Sequence, residues 1–168
     1  MTDNLDWYVV HVRSRQEFVV LAELSRNGIE SFLPSVIKIR QWRDRKKAVR
    51  FALFPGYCFV RIALRQDEYR TVLKTKGVVA FVCLEKNNPA SVPSGEVSSL
   101  RYMIESKAEI DVYPRLELGD RVKITKGPLC DAEGRLVKKE NASFFVVNID
   151  ILGRSAAIRI SADDIEPA

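Results

Sequence analysis

A chain of 168 residues has room for one domain or two small ones, and a hydrophobic share of 46% excludes global disorder. Its net charge of +5 permits a polyanionic partner without requiring one. No run approaches the ~18 apolar residues of a membrane span, and residues 1–6 lack the basic and apolar parts of a signal peptide, so a cytoplasmic protein with no membrane contact is expected. Cys58, Cys83 and Cys130 are odd in number and show no CxxC spacing, which points to reduced, inert thiols rather than a disulfide framework or a zinc site.

Trp7–Val12 is a β-branched and aromatic run and reads as a strand. Ser14, with Glu17 three residues on, fits a capping box. The spacing predicts a helix over 15–27, with Phe18, Leu21, Ala22 and Ser25 on one face, Leu24 beside them and Gly28 as its left-handed stop. Ile29–Leu33 begins a second strand, Pro34 interrupts it, and Val36–Arg40 continues it. Residues 38–50 then carry seven cations against one acid, Asp44, a local +6 that exceeds the net charge of the whole chain. With Trp42 inside it, this run reads as the tip of a long basic hairpin. It is either a solvated tip that protects an edge strand from aggregation, or an arm whose Arg43, Arg45 and Lys47 contact phosphates while Trp42 offers a ring for base stacking.

The stretch Phe51–Val60 organises the rest. It reads as two apolar strands joined at Phe54-Pro55-Gly56-Tyr57, where Pro55 fixes its own φ and Gly56 accepts a positive one, as the centre of a type II turn or of a sharp bend requires. Neighbours on a strand face opposite ways, so Leu53, Phe54, Tyr57, Phe59 and Val60 cannot all enter one side of a two-stranded sheet. Either Phe54 and Tyr57 cover a second layer of structure, or aromatic surface is left outside as a docking patch.

Gln66–Thr75 forms a short helix with Tyr69, Val72 and Leu73 inward, ended by Gly77. Val78–Leu84 is an apolar strand, and residues 87–90 are a loop. Pro93 opens a last helix through about Glu105, with Val97, Leu100, Arg101 and Ile104 at helical spacing. The order β-α-β-β-β-α-β-α suggests an α/β sandwich with a mostly antiparallel sheet over 1–106. Residues 107–116 have no helical face and read as a linker. Beyond them, Gly119–Ile124, Leu136-Val137, Phe144–Ile151 and Ala156–Ile160 are short strands between glycine-bearing turns, the pattern of a small closed barrel over 117–168. The fold class is α+β, with a sandwich and a barrel.

Two motifs carry a resemblance. Trp7-Tyr8 is followed some 45 residues later by Leu53-Phe-Pro-Gly-Tyr57, and Gly119-Asp-Arg-Val122 precedes Gly127-Pro128 and Gly134. In this order the chain resembles the NusG family of transcription elongation factors. The resemblance implies an N-terminal NGN domain, a mobile linker and a C-terminal KOW barrel. It further implies a monomer that docks on the clamp helices of the largest RNA polymerase subunit, suppresses pausing and promotes terminator readthrough. The positions matching the family's apolar docking depression are Tyr8, Phe54, Pro55, Tyr57 and Phe81.

Gly28–Pro34 followed by Arg40–Lys46 is similar to the specialised paralogues of the RfaH and UpxY type, which serve particular long operons, more than to the housekeeping member. The non-template-strand reading run of RfaH, His-Thr-Thr-Thr, aligns here with Glu68–Thr71, so that code is absent. Arg70, Thr71, Lys74 and Arg13 stay as DNA contacts, and nascent RNA is a further candidate partner. In the barrel, Gly127, Pro128, Leu129 and Gly134 match the loop that meets a ribosomal protein or Rho, with Leu129 standing where the family has an aromatic. Gly127, Gly134 and the run from Phe144 to Val147 weaken helix, so a barrel rather than a helical C-terminal form is expected.

His11, the single histidine, lies mid-strand without a partner at useful spacing and reads as structural. No nucleophile–base pair, phosphate loop or metal-ligand cluster appears, so neither an enzyme, a cofactor nor a metal is expected. The alternatives to an operon-specific antiterminator are an RNA-binding or ribosome-associated KOW protein and a general housekeeping NusG.

Overall fold

The computed structural model describes residues 4–116, 119–139, 141–161 and 165–167. The chain divides into two compact units, Met1–Ser91 and Val92–Ala168.

The first unit begins with β1 (Asp6–Val12), α1 (Glu17–Arg26), β2 (Glu30–Phe32), β3 (Ser35–Trp42) and β4 (Arg45–Ala52). It continues with β5 (Tyr57–Ile62), α2 (Gln66–Lys74), β6 (Val78–Phe81), β7 (Cys83–Glu85) and β8 (Asn88–Pro89). Four strands build an antiparallel sheet in the order β2-β5-β1-β6, while β3-β4 and β7-β8 are separate two-stranded ribbons. The stretch 51–60 is therefore not a hairpin: β4 pairs with β3, and β5 enters the four-stranded sheet beside β1. The apolar run expected over Val78–Leu84 breaks after Phe81, and Leu84 in β7 is exposed.

One face of the sheet presents Tyr8, Val10 and Val12 of β1 and Cys58, Val60 and Ile62 of β5 to Val20 and Leu24 of α1 and Val72 of α2. Each such valine or leucine, fully buried, contributes about 1.5–3 kcal/mol. On the opposite face Trp7, Val9 and Phe59 are buried as well. Alternation along β1 and β5 thus sends apolar side chains into two covered layers, and does not by itself leave rings at the surface.

The inward face of α1 differs from the expected one. Glu17, Val20 and Leu24 are buried, Phe18 and Leu21 pack at the margin, and Ala22 and Ser25 are exposed. Its end follows the expectation: Gly28 takes φ 76, its N–H reaches Ser25 O, and Ile29 N–H reaches Leu24 O, the paired bonds of a Schellman motif.

The second unit holds α3 (Ser94–Glu105) and six strands: β9 (Asp111–Pro114), β10 (Asp120–Ile124), β11 (Glu133–Lys139), β12 (Ala142–Ile149), β13 (Arg154–Ile160) and β14 (Ile165–Pro167). They form one antiparallel sheet in the order β14-β10-β11-β12-β13-β9. Among the described residues no ladder joins β14 to β9, so the expected barrel is present as this sheet rather than as a closed hydrogen-bonded ring. Phe145, Val146, Val147, Ile149, Ala156 and Ile158 are its buried centre.

The unit boundary falls fifteen residues before the expected one at 106/107. Val97, Leu100 and Met103 of α3 are buried, and the helix packs on β11 and β12. Ser99, also buried, donates from Oγ to Glu133 O and accepts from Glu133 N–H, both at 3.1 Å. Arg101 and Ile104, expected to face inward, are only half-buried. The expected linker is likewise structured: Val112 and Tyr113 of β9 pair with Ala156 and Ser155 of β13, and Leu116 N–H donates to Ser155 Oγ at 2.9 Å. An alternating Ile110–Val112 beside an unpaired edge suffices to add a short strand, and Pro114 sits at its end where no further ladder bond is needed.

Candidate docking turn and basic hairpin

Phe54-Pro55-Gly56-Tyr57 is the expected turn. Tyr57 N–H reaches Phe54 O at 3.2 Å, and Gly56 adopts φ 88. Leu53 N–H is held by Pro34 O at 2.7 Å. Gly56 uses both of its backbone groups: its carbonyl accepts from Val12 N–H at 2.8 Å, and its N–H donates to Glu17 Oε1 at 3.1 Å. Glu17 is buried, so its carboxylate bridges α1 to a turn 39 residues away. The expected capping box is therefore absent; Gln16 precedes the helix and no side chain caps it. The carboxylate that a capping box would spend on its own N-terminus is spent on tertiary structure.

Of the five positions matched to a docking depression, three are inside. Tyr8, Phe54 and Phe81 are 7%, 3% and 7% exposed. Tyr8 meets Phe81 edge to face at 6.3 Å, and Phe81 stacks on Tyr69 at 4.9 Å. Burial, reinforced by the negative charge of Asp6, raises the Tyr8 phenol above its ordinary value. This is core packing, since Tyr8 and Phe81 lie on the helix-covered face. At the surface the turn presents Pro55, exposed, and Tyr57, half-buried. His11 is exposed rather than structural, lying opposite Tyr57 in the ladder with ring centres 5.5 Å apart.

The basic run folds as expected into a hairpin. The β3–β4 ladder runs from Ser35↔Ala52 to Trp42↔Arg45, and closes at Arg43-Asp44 with Arg43 at φ 53. Arg43, Arg45 and Lys47 are exposed, and Trp42 is 73% exposed. Arg40 lies over the Phe51 ring at 4.7 Å, while Arg50 is held at the hairpin base by Ser35 Oγ at 2.8 Å. On α2, Arg70 and Lys74 are exposed, but Thr71 Oγ donates to Asp67 O within the helix. Arg13 N–H reaches Gly77 O, which sets exposed Arg13 beside the connection leaving α2.

The family model described as transcription termination factor nusG matches residues 5–101. The chain is 31% identical over 174 residues to the transcription termination/antitermination protein NusG of Staphylococcus aureus, covering 95% of this chain and 94% of that one. It is 28% identical to the protein of the same name from Pseudomonas aeruginosa, covering 95% and 97%. The chain belongs to the NusG family. A solved structure concerning domain interaction in Thermotoga maritima NusG matches with a TM-score of 0.52 at 25% identity, covering 98% of this chain and 97% of that one. As a NusG-type chain it is a transcription termination/antitermination factor, and its relatives carry the names of transcription factors rather than of enzymes.

The KOW turn of this NusG-type chain is built differently from the Pro55 turn. Lys126, Gly127 and Pro128 are exposed, and Cys130 N–H closes the turn on Gly127 O at 3.1 Å. Leu129 is buried, so its side chain serves the unit's own packing. Gly134 has a structural reason: a Cβ there would run into Val146 O and come within 2.8 Å of the Phe145 ring.

Glu96, in the first turn of α3, went unnoticed in the sequence. Its Oε2 is sealed from solvent and has no hydrogen-bond partner among the described residues. Burial first, then repulsion from Asp150, pushes its carboxyl up to about 7 against the opposing pull of Arg115. It borders a cavity of about 400 Å³ that Arg115, Arg121 and Arg135 also line. Cys58 is fully buried and its thiol is pushed up to about 12 by burial, while Cys83 is exposed. Among the described residues no group of His, Cys, Asp and Glu is placed to hold a metal, and no helix is long and apolar enough to cross a membrane.

Proposed function

We propose that this NusG-type factor acts as a monomer in the cytoplasm, docks on the clamp helices of the largest RNA polymerase subunit, suppresses pausing and carries transcription through terminators. The observation that supports it is the turn at Pro55 and Tyr57, pinned through Gly56 on both sides, while Tyr8, Phe54 and Phe81 are buried in the unit's own packing. A rigid apolar turn loses little conformational freedom on binding, which favours a stable complex. The hairpin cations Arg43, Arg45 and Lys47, with Arg13, Arg70 and Lys74, serve the displaced non-template DNA strand. The exposed backbone at Gly127 and Pro128 serves a ribosomal protein or Rho.

Tyr57→Ala is the informative change, because Phe54→Ala would also open the core. Loss of a central aromatic anchor weakens binding by about 2 kcal/mol, or some 30-fold. Wild-type affinity of folded Tyr57→Ala for purified core polymerase would remove the docking proposal. The service of particular long operons rests on Gly28–Pro34 and Arg40–Lys46. Transcript profiling after deletion tests it: read-through loss confined to one or a few long transcripts supports a dedicated role, and genome-wide loss supports the general one.

A further inference from the structure

The β3–β4 hairpin is a two-stranded ribbon outside the main sheet, so both of its faces meet solvent over the outer half. Residues paired across an antiparallel ladder share a face, and alternate residues along each strand do the same. The register therefore sorts the basic run into two unequal sides. Lys38, Arg40 and Trp42 of β3 lie with Val49, Lys47 and Arg45 of β4, their respective partners. Ile37, Ile39 and Gln41 lie on the reverse with Arg50, Ala48 and Lys46. The first side carries four exposed cations and no acid, and ends in a tryptophan that is 73% exposed. The reverse exposes two isoleucines, at 70% and 73%, and its Arg50 is engaged at the hairpin base by Ser35.

We infer that the hairpin binds single-stranded DNA on one face only, the face of Lys38, Arg40, Trp42, Arg45 and Lys47. This rests on the non-template-strand reading above and sharpens it from a charged tip to a sided platform. Same-face residues stand about 6.6–6.8 Å apart along each strand, which sets two cationic rows beside each other across the ribbon. Phosphates run along the rows, and a base stacks on Trp42 at the end. A duplex satisfies the rows but has no unstacked base to give the ring, so the single strand is preferred. None of these contacts requires a 2′-hydroxyl, so the DNA strand of that reading satisfies the face in full.

The test titrates the full-length protein with a labelled dT oligonucleotide at several salt concentrations. Lys47→Glu and Lys46→Glu change the net charge equally but lie on opposite faces. Lys47→Glu should weaken binding at least 10-fold at low salt and flatten the salt slope, whereas Lys46→Glu should change it less than 3-fold. Trp42→Leu should weaken binding about 5- to 100-fold with the salt slope unchanged. Equal losses for Lys46→Glu and Lys47→Glu would overturn the one-sided platform and leave a basic nucleic-acid arm standing. Equal affinity for a duplex, or tighter binding to an rU oligonucleotide, would overturn the choice of single-stranded DNA. Absence of salt-dependent binding to any of the three, with the hairpin folded, would remove the nucleic-acid reading itself.

Discussion

Glu17 in the first unit and Glu96 in the second both stand in the first turn of a helix, and the two do opposite things. Glu17 of α1 is buried with a partner, the Gly56 amide, and so ties a helix to a turn that the chain must place accurately. Glu96 of α3 has an oxygen sealed without a partner, beside Asp150. A satisfied buried acceptor locks a structure, while an unsatisfied one makes it sensitive to protonation. The two exposed Gly/Pro turns follow the same division. Pro55-Gly56 is held by long-range bonds on both backbone groups, whereas Gly127-Pro128 is closed by one local bond.

The largest effect should come from cutting the first tether. Glu17→Ala should destabilise the first unit by about 1.5–3 kcal/mol in urea unfolding, with Glu17→Gln recovering most of it because an amide oxygen still accepts. If Glu17→Ala unfolds with the wild-type midpoint, the turn is held by its other bonds and the contrast with Glu96 dissolves.

The glycines sharpen the comparison of turns. Gly56 and Gly127 have φ of 88° and 82°, and a Cβ added at either would meet no atom closer than 3.7 Å. Alanine at either should cost about 1–2 kcal/mol through its left-handed backbone alone. Only Gly56→Ala should also weaken polymerase binding, which a pull-down with matched folded fractions measures.

A third test concerns pH. Folded Glu96 keeps its proton up to about 7, while the unfolded chain releases it near the ordinary 4.5. Between those values the folded state binds more protons, so the Glu96 contribution to stability is present at low pH and is lost as pH rises toward 7 and beyond. Melting temperatures of wild type and Glu96→Gln should lie close below pH 4.5, separate progressively between about 4.5 and about 7, and keep a constant gap at higher pH, with the glutamine variant higher. Parallel curves would mean that solvent reaches the carboxylate. The smallest effect belongs to the exposed Lys123–Asp131 pair at 3.7 Å near the KOW turn, where Lys123→Ala should shift stability by no more than ~0.5 kcal/mol in the same unfolding assay.

Much of the local structure was legible because it is written in local spacing. The α1 stop at Gly28, the type II turn at Pro55-Gly56 and the hairpin around Asp44 all follow from neighbouring residues, and all are present. The readings that failed needed distant partners. Ser14 and Glu17 match a capping box at short range, yet Glu17 finds Gly56 across 39 residues. Residues 107–116 lack a helical face, and only the presence of β13 makes 111–114 a strand.

By itself the sequence determined the three helices, the central strands β1 and β5, the basic hairpin and membership of the NusG family, because periodicity, turn chemistry and motif spacing are properties of neighbours along a chain. Tertiary structure alone decided which aromatic rings are core and which reach the surface, which face of the hairpin carries four exposed cations, and which unit α3 joins. Those outcomes depend on what packs against each side chain, and burial is a relation between segments far apart in sequence.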